Sequence, residues 1–143
     1  MSTLLLERNN RAELAAALSG DTWVVACLCA AWCDVCRAYR TSFDALAAKH
    51  PDTRFVWIDI EDEADVAGDL DVENFPTLLI QHGDTVAFYG VVLPDVRIAE
   101  RLLLAQIEKN PAELLAEING NAERKSWQQD CNLRQRLHDA IDN

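Results

Sequence analysis

The sequence predicts an α/β protein in which a mixed sheet carries helices on both faces, and two observations support this fold class. Apolar, β-branched runs alternate with helical segments over residues 1–109, an order that is typical of parallel strands joined by helices. The last two apolar runs of that region are separated only by "HGD" (82–84), which predicts a hairpin and therefore an antiparallel pair. Half of the 143 residues are hydrophobic, so the chain can bury the core of one domain.

The first elements alternate between strand and helix. "TLLLE" (3–7) predicts a short edge strand, and the Ala- and Leu-rich segment after it predicts a helix that ends at Gly20. "TWVVACLCA" (22–30) is apolar and β-branched, which predicts a buried strand. In residues 33–51 apolar side chains recur every three or four positions, which predicts an amphipathic helix that ends at the proline.

The later elements complete the order β-α-β-α-β-α-β-β-α, which contains five strands. "TRFVWIDI" (53–60) predicts a buried strand, and the acidic residues 61–72 predict a short helix or helical turn. "PTLLIQ" (76–81) and "TVAFYGVV" (85–92) predict the two strands of the hairpin. Residues 94–110 open with Pro-Asp and predict a helix.

A second segment, residues 110–143, follows the α/β domain of residues 1–109. An asparagine followed by a proline predicts the start of a helix over residues 110–120, which a glycine ends. Residues 122–141 carry an apolar stripe and predict an amphipathic helix. We expect this helical extension to bury its stripe against its own sheet or against a second subunit, in which case the protein would be a homodimer.

The charge of the chain argues against several classes of partner. The net charge is −11, and eight carboxylates lie between Asp59 and Glu73 with no Lys or Arg among them. Such a surface repels nucleic acid and anionic membrane surfaces. No apolar run is long enough to cross a bilayer, and the first residues lack the pattern of a secretory signal. If the sequence is full length, we expect a cytoplasmic protein, in which five cysteines indicate redox catalysis or metal binding rather than permanent disulfides.

Two of the cysteines, Cys33 and Cys36, lie in the first turn of the helix that follows a buried strand. Residues three apart in a helix are neighbours, so these sulfurs can meet without a change of the backbone. The exposed amide groups at a helix start stabilise a thiolate, which is the species that attacks a disulfide. This placement predicts that Cys33 is the exposed nucleophile and Cys36 the resolving cysteine, and disfavours the alternative that both only fill space in the core.

The segment "AAWCDVC" and the "FPT" about forty residues later, followed by "LLIQHGD", resemble the thioredoxin family over residues 1–109. The resemblance implies the thioredoxin fold, with a sheet of about five strands flanked by helices. It implies dithiol–disulfide exchange with protein disulfides, and an electron donor similar to a thioredoxin reductase. No organic cofactor is implied, because the cysteines themselves hold the two electrons.

The resemblance also implies a substrate groove beside the nucleophile. It would be lined by Trp32, Phe75, Pro76 and Gly90, with a cis bond before the proline and an extended substrate segment paired to the backbone there. Ordinary core packing of the two aromatic side chains is the alternative.

The sequence departs from the family at several positions. Asp34 and Val35 stand between the cysteines in place of Gly-Pro, and a carboxylate there disfavours a nearby thiolate although it suits a helix start. Cys27 replaces the buried aspartate of the family, Trp57 replaces its lysine partner, and Cys29 replaces an aromatic residue. These changes remove the family's buried proton-transfer pair from beside the resolving cysteine.

Cys27 and Cys29 point to the same side of their strand, so four cysteines could cluster beneath the helix. A second disulfide relay, zinc or an iron–sulfur cluster are the alternatives this raises. Their spacing matches none of the usual ligand patterns, so we predict no metal and favour small core residues for both. Cys131 is interpreted in the same way, with a third redox thiol as its alternative.

The sequence as a whole predicts a cytoplasmic thiol–disulfide oxidoreductase that takes part in cell redox homeostasis. The main alternative is a binding or assembly module that keeps the fold but has weak redox activity, because the family's buried proton-transfer pair is replaced.

Overall fold

The computed structural model describes residues 4–6, 10–67, 72 and 74–142. Within these residues the strands are β1 (Leu4–Leu5), β2 (Trp23–Cys29), β3 (Arg54–Asp59), β4 (Thr77–His82) and β5 (Thr85–Val91). The helices in the same part of the chain are α1 (Arg11–Ala17), α2 (Asp34–Lys49), α3 (Ala64–Ala67), α4 (Val96–Ile107), α5 (Pro111–Asn119), α6 (Ala122–Asp130) and α7 (Leu133–Asp142).

The strands form one five-stranded mixed sheet in the order β1-β3-β2-β4-β5. β3 pairs in parallel with β1 and β2, whereas β4 is antiparallel to both β2 and β5. β4 and β5 form a hairpin whose turn contains Gly83 at φ 59°, a left-handed conformation that glycine adopts without steric cost. The predicted mixed sheet and its late hairpin are therefore confirmed.

Strand β2 lies at the centre of the sheet, and its side chains alternate between two apolar cores. Val24, Ala26 and Leu28 enter the core that also contains α1, α3 and α7. The intervening residues of β2, which include Cys27 and Cys29, enter the core beneath α2, α4 and α5. Helices thus cover both faces of the sheet, as the apolar character of β2 predicted.

The C-terminal helices wrap around the free edge of β5. α5 contributes to the core beneath α2, α6 contacts β5, and α7 packs against α1 and α3. Gln128 of α6 donates to the Val86 carbonyl (2.7 Å) and accepts from the Val86 N–H (2.8 Å). Because β5 ends the sheet, this side-chain amide satisfies backbone groups that no further strand pairs.

A buried glutamine fixes the start of α7. Gln81 of β4 is 1% exposed, donates to Asn132 Oδ1 (2.8 Å) and accepts from the Leu133 N–H (2.8 Å). The NH2 group and the carbonyl of this side-chain amide are therefore both hydrogen-bonded inside the protein. These bonds make the junction between sheet and extension a specific one. The apolar stripe of the extension is buried against its own chain.

The structure corrects one prediction about the extension. The single amphipathic helix predicted over residues 122–141 is wrong, because the chain breaks at Cys131 and Asn132 into α6 and α7. The Asn132 side chain accepts from the Gln135 N–H (3.2 Å) and so caps α7. The apolar period of three and four continues across the break, which is why the pattern alone did not indicate it.

Two other predictions fall partly outside the described residues. The first strand was predicted over residues 3–7, of which β1 occupies Leu4–Leu5 and the first and last lie outside. Of the acidic residues 61–72, α3 occupies Ala64–Ala67, and residues 68–71 lie outside. No helix in the described parts of the chain has both the length and the apolar character that a bilayer span requires.

Replacing Leu137 with alanine is expected to lower the free energy of unfolding by about 2–5 kcal/mol, because Leu137 is fully buried in the core that α7 shares with α1. Urea denaturation followed by circular dichroism measures this change. Leu115→Ala is the matched control: it removes the same atoms from a side chain that is 51% exposed, with an expected effect of about 0.5 kcal/mol or less. Equal effects of the two substitutions would contradict the packing of α7 on the domain.

Candidate active site

The predicted nucleophile lies where β2 passes into α2. The Cys33 N–H donates to the Ala30 carbonyl (3.1 Å) in the turn between strand and helix. Cys33 is the N-cap residue of α2, with an extended backbone (φ −86°, ψ 121°), and the helix begins at Asp34. Cys33 is half-buried with a free thiol, so a substrate can reach the sulfur at the end of a helix where amide groups favour an anion.

The carboxylate beside this position has a cationic partner that the sequence analysis did not identify. Asp34 is exposed and forms an ion pair with Arg37, one turn along α2. Arg37 also donates to the Ala31 carbonyl (2.7 Å), which holds its guanidinium at the helix start. The negative charge of Asp34 near Cys33 is thus offset by a neighbouring positive charge. A spacing of three between Asp and Arg in a helix was the signal available in the sequence.

The predicted groove residues lie around the same end of the sheet. Trp32 is 64% exposed, its ring meets that of Phe75 edge-on with 5.6 Å between centroids, and its indole N–H donates to the Glu61 carboxylate. The Phe75–Pro76 bond is cis, as the resemblance implied. The Pro76 carbonyl accepts a hydrogen bond from the Val92 N–H (3.1 Å). Gly90 itself lies in β5 opposite β4. The pronounced exposure of Trp32 distinguishes it from a core tryptophan.

The disulfide of the structure joins Cys36 to Cys29, with 5.8 Å between their Cα atoms. This differs from the expectation that Cys36 pairs with Cys33, and from the interpretation of Cys29 as a residue that only fills space. The reason is geometrical: the alternation of β2 turns Cys29 toward α2, and Cys36, one turn into the helix and 1% exposed, points down onto the strand. The alternating "CLC" was the signal in the sequence.

Cys27 lies next to this disulfide, with 3.8 Å between its sulfur and that of Cys29. Burial raises the pKa of Cys27 far above its ordinary value, and the positive charge of Arg40 opposes this effect more weakly. Cys27 is opposite Trp57 in the sheet register, and the Arg40 guanidinium lies 5.1 Å from the Trp57 ring centroid. The site therefore has a neutral thiol where the family pattern has a buried carboxyl group.

Metal binding has no support among the residues that the structure describes, where no three His, Cys, Asp or Glu side chains are arranged to hold an ion. The four neighbouring cysteines belong to that part of the chain, and two of them are joined to each other.

A cavity of about 360 Å³ borders Cys36, large enough to hold water. Apolar atoms form most of its wall. Its charged lining residues are Arg37, Arg40, Asp59 and Asp62. The buried sulfur of Cys36 therefore adjoins a space that carries both signs of charge.

Cys131 lies apart from this group. It is buried in the core that contains α1 and α7, on the face of the sheet opposite the other cysteines. The structure brings Cys27, Cys29, Cys33 and Cys36 together and leaves Cys131 separate.

Comparison with known proteins gives one consistent family. A family model described as thioredoxin matches residues 5–102, more than half of the chain. A thioredoxin from Ophiophagus hannah is 39% identical over 67 residues, which are 47% of this chain and 62% of the relative. A thioredoxin from Mus musculus is 34% identical over 73 residues, which are 51% and 70% of the two chains. The alignments thus span between about three fifths and seven tenths of these two relatives.

Solved structures with the same fold extend the similarity. The crystal structure of a thioredoxin from Nicotiana alata has a TM-score of 0.64 and 25% identity, over 73% of this chain and 91% of that one. A thioredoxin f2, solved in a complex with a ferredoxin:thioredoxin reductase, has a TM-score of 0.64 and 18% identity, over 75% and 96%. These similarities confirm the predicted fold class.

The free energy of unfolding should fall at high pH because Cys131 is buried. Burial raises the pKa of Cys131 from an ordinary value of 9.0 to about 11. The unfolded chain therefore loses this proton first, so stability that is present below pH 9 is lost as the pH rises toward 11. We expect wild type to lose up to about 1.4 kcal/mol more per pH unit in this interval than Cys131→Ala does, as measured by urea unfolding. Parallel pH profiles of the two proteins would contradict this.

Proposed function

Because the chain belongs to the thioredoxin family, we propose that it is a thiol–disulfide oxidoreductase that reduces disulfides in proteins, with Cys33 as the nucleophile. The observation that carries the proposal is the placement of Cys33: a free, half-exposed thiol at the N-terminus of α2, beside the exposed Trp32 and one turn before Cys36.

The reaction proceeds by two exchanges of sulfur bonds. The Cys33 thiolate attacks one sulfur of a substrate disulfide, forming a mixed disulfide and releasing the other substrate sulfur as a thiolate. Cys36, with its own thiol reduced, then attacks the Cys33 sulfur and releases the second substrate thiolate. Two electrons pass from the two cysteines to the substrate, and the cysteines end as a disulfide.

The groove around Cys33 supports an extended protein segment as the substrate. Trp32 presents an apolar surface, and the family resemblance implies that a substrate strand pairs with the backbone beside Pro76, at the start of β4. The Pro76 carbonyl itself is hydrogen-bonded to the Val92 N–H. Val91 and Leu93, which are 54% and 69% exposed, add apolar surface at the adjoining end of β5. A protein chain offers both the backbone and the apolar side chains that such a groove takes.

Solvent in the cavity beside Cys36 is the proposed acceptor of the Cys36 proton. Cys27 is a poor substitute for a carboxylate, because burial keeps its thiol protonated. The cavity adjoins Cys36 and is lined by two aspartates, so water held there can carry a proton from the buried thiol to a carboxylate or to bulk solvent.

The proposed electron donor is a protein similar to a thioredoxin reductase. A structural relative was solved in a complex with a ferredoxin:thioredoxin reductase, which supports this class of partner. A cytoplasmic location, a role in cell redox homeostasis, the division into residues 1–109 and 110–143 and a dimer formed through the extension stay predictions.

A binding module with weak redox activity is the second candidate function. The observation that favours it is the replacement of the buried acid–base pair by Cys27 and Trp57. Such a module would hold a protein partner in the groove around Trp32 without turning it over.

Insulin reduction with dithiothreitol as the electron source distinguishes the two candidates. We expect wild type to accelerate the reaction and Cys33→Ser to abolish the acceleration, because serine is not a nucleophile toward disulfides at neutral pH. Cys131→Ser, which alters the opposite face of the sheet, is the control and should stay active. A folded wild type without turnover would favour the binding module.

Removing the resolving cysteine should trap the substrates. Cys36→Ser removes the thiol that resolves the mixed disulfide at Cys33, so covalent complexes accumulate and can be identified by mass spectrometry after nonreducing electrophoresis. The double variant Cys33→Ser with Cys36→Ser is the control. Equal amounts of complexes in both proteins would contradict the assignment of Cys33 as the attacking residue.

A further inference from the structure

We propose that the Cys29–Cys36 disulfide is a second oxidised state of this centre, in which Cys33 stays a free nucleophile and isomerises protein disulfides without net reduction. The inference rests on the proposed reactivity of Cys33 and adds an activity to it. It assigns Cys29 a role as the partner that, by bonding to Cys36, prevents Cys36 from attacking a mixed disulfide at Cys33.

The geometry separates the two functions of the centre. Cys29 and Cys36 are buried, at 0% and 1% exposure, and their Cα separation of 5.8 Å lies inside the usual range for disulfides of roughly 4.4–6.8 Å. Cys33 is outside this pair, half-buried at the N-terminus of α2. The bonded pair is therefore shielded from a protein substrate, while the nucleophile remains within its reach.

Three exchanges lead to this state, with a substrate disulfide as the oxidant: the two that reduce the substrate and one inside the protein. Reduction of the substrate leaves a bond between Cys33 and Cys36. The sulfur of Cys29, whose proton passes to solvent, then attacks the sulfur of Cys36, so that the Cys29–Cys36 bond forms and Cys33 leaves as a thiolate. The two electrons given to the substrate then come from Cys29 and Cys36, and Cys33 is regenerated.

The surroundings of the sulfurs favour the product of this last exchange. The core beneath α2 is built from buried apolar side chains, and burial there raises the pKa of the adjacent Cys27. An uncharged disulfide is better tolerated there than an ionised sulfur. Cys33, by contrast, is a half-buried free thiol at the start of α2, where a released sulfur is within reach of solvent. The exchange thus moves the ionisable sulfur from the core to the helix mouth.

A centre in this state has different chemistry from a dithiol reductase. The Cys33 thiolate attacks a non-native substrate disulfide and releases a substrate thiolate, which attacks a second disulfide of the same substrate. A substrate thiolate finally attacks the mixed disulfide and releases Cys33, so no electrons are gained or lost. Cys36 cannot interrupt the mixed disulfide by reducing it, because its sulfur is already bonded to Cys29.

Peptide mapping tests the pairing directly. The protein is oxidised, and acid is added to stop thiol–disulfide exchange. The free thiols are then alkylated in denaturant, and the protein is digested with chymotrypsin. Cleavage after Leu28, Trp32 and Tyr39 places Cys29 in a peptide of its own, apart from the peptide 33–39. We expect these two peptides to be cross-linked, with Cys33 alkylated. An internal disulfide within the peptide 33–39, with Cys29 alkylated, would overturn the proposal.

Reactivation of scrambled ribonuclease A without added reductant tests the activity. We expect oxidised wild type and Cys36→Ser to reactivate the substrate, since both keep Cys33 free. Oxidised Cys29→Ala should lose this activity, because its remaining disulfide is Cys33 to Cys36, yet it should still reduce insulin, which also shows that it folds. Cys27→Ala, which removes a buried sulfur from the same strand and face, is the packing control and should keep the Cys29–Cys36 bond.

The outcomes separate this inference from the proposed function. If wild type reduces insulin but its oxidised form does not reactivate ribonuclease, only the isomerase inference is overturned. The same conclusion follows if wild type reduces insulin and oxidised Cys29→Ala reactivates ribonuclease as well as oxidised wild type does. No insulin reduction and no reactivation by any variant that keeps Cys33 overturns the proposed function together with the inference.

Discussion

The packing of Phe43 against Phe55 and Trp57 holds α2 on the sheet and so positions the two cysteines at the start of that helix. Phe43 of α2 is fully buried, and its ring meets both β3 rings edge-on, with centroids 5.4 and 5.6 Å apart. Such aromatic pairs contribute about 0.5–1.5 kcal/mol each beyond their buried area. They hold α2 across the sheet at a height that places Cys36 over Cys29 in β2 and leaves Cys33 at the helix end.

The chemistry of the centre follows from how this packing divides the sulfurs between two environments. Cys33 lies at the helix end, where the amides of α2 and the nearby Arg37 offset the carboxylate of Asp34. Cys27 and Cys29 lie in an apolar core where a charge is costly. A core that contains sulfur instead of a carboxyl group cannot accept protons readily. It can hold a disulfide instead. The main difference from the family pattern is therefore that this core binds sulfur to sulfur where the family's core accepts a proton.

The C-terminal extension stabilises the sheet at the end that is remote from the groove. Its polar anchors are Gln128, which binds the backbone of Val86, and Asn132, which binds Gln81. These contacts lie beside the turn of the β4–β5 hairpin, whereas Pro76 and Cys29 lie at the other end of the same sheet. The extension therefore closes an exposed sheet edge without covering Trp32 or Cys33. A domain can gain stability in this way while its groove stays open.

The sequence alone determined the order of the elements over residues 1–109, the strand–helix junction that holds Cys33 and Cys36, and the cap at Asn110. These features depend on local periodicity and local hydrogen bonds. It also placed Cys27 and Cys29 on one side of their strand. Only the tertiary structure decided which sulfur is bonded to Cys36, since that choice depends on the height and angle at which α2 crosses β2. The break at Asn132 was decided in the same way: local capping competed with a continuous apolar period, and the hydrogen bonds to Gln81, 51 residues away in sequence, favoured two helices over one.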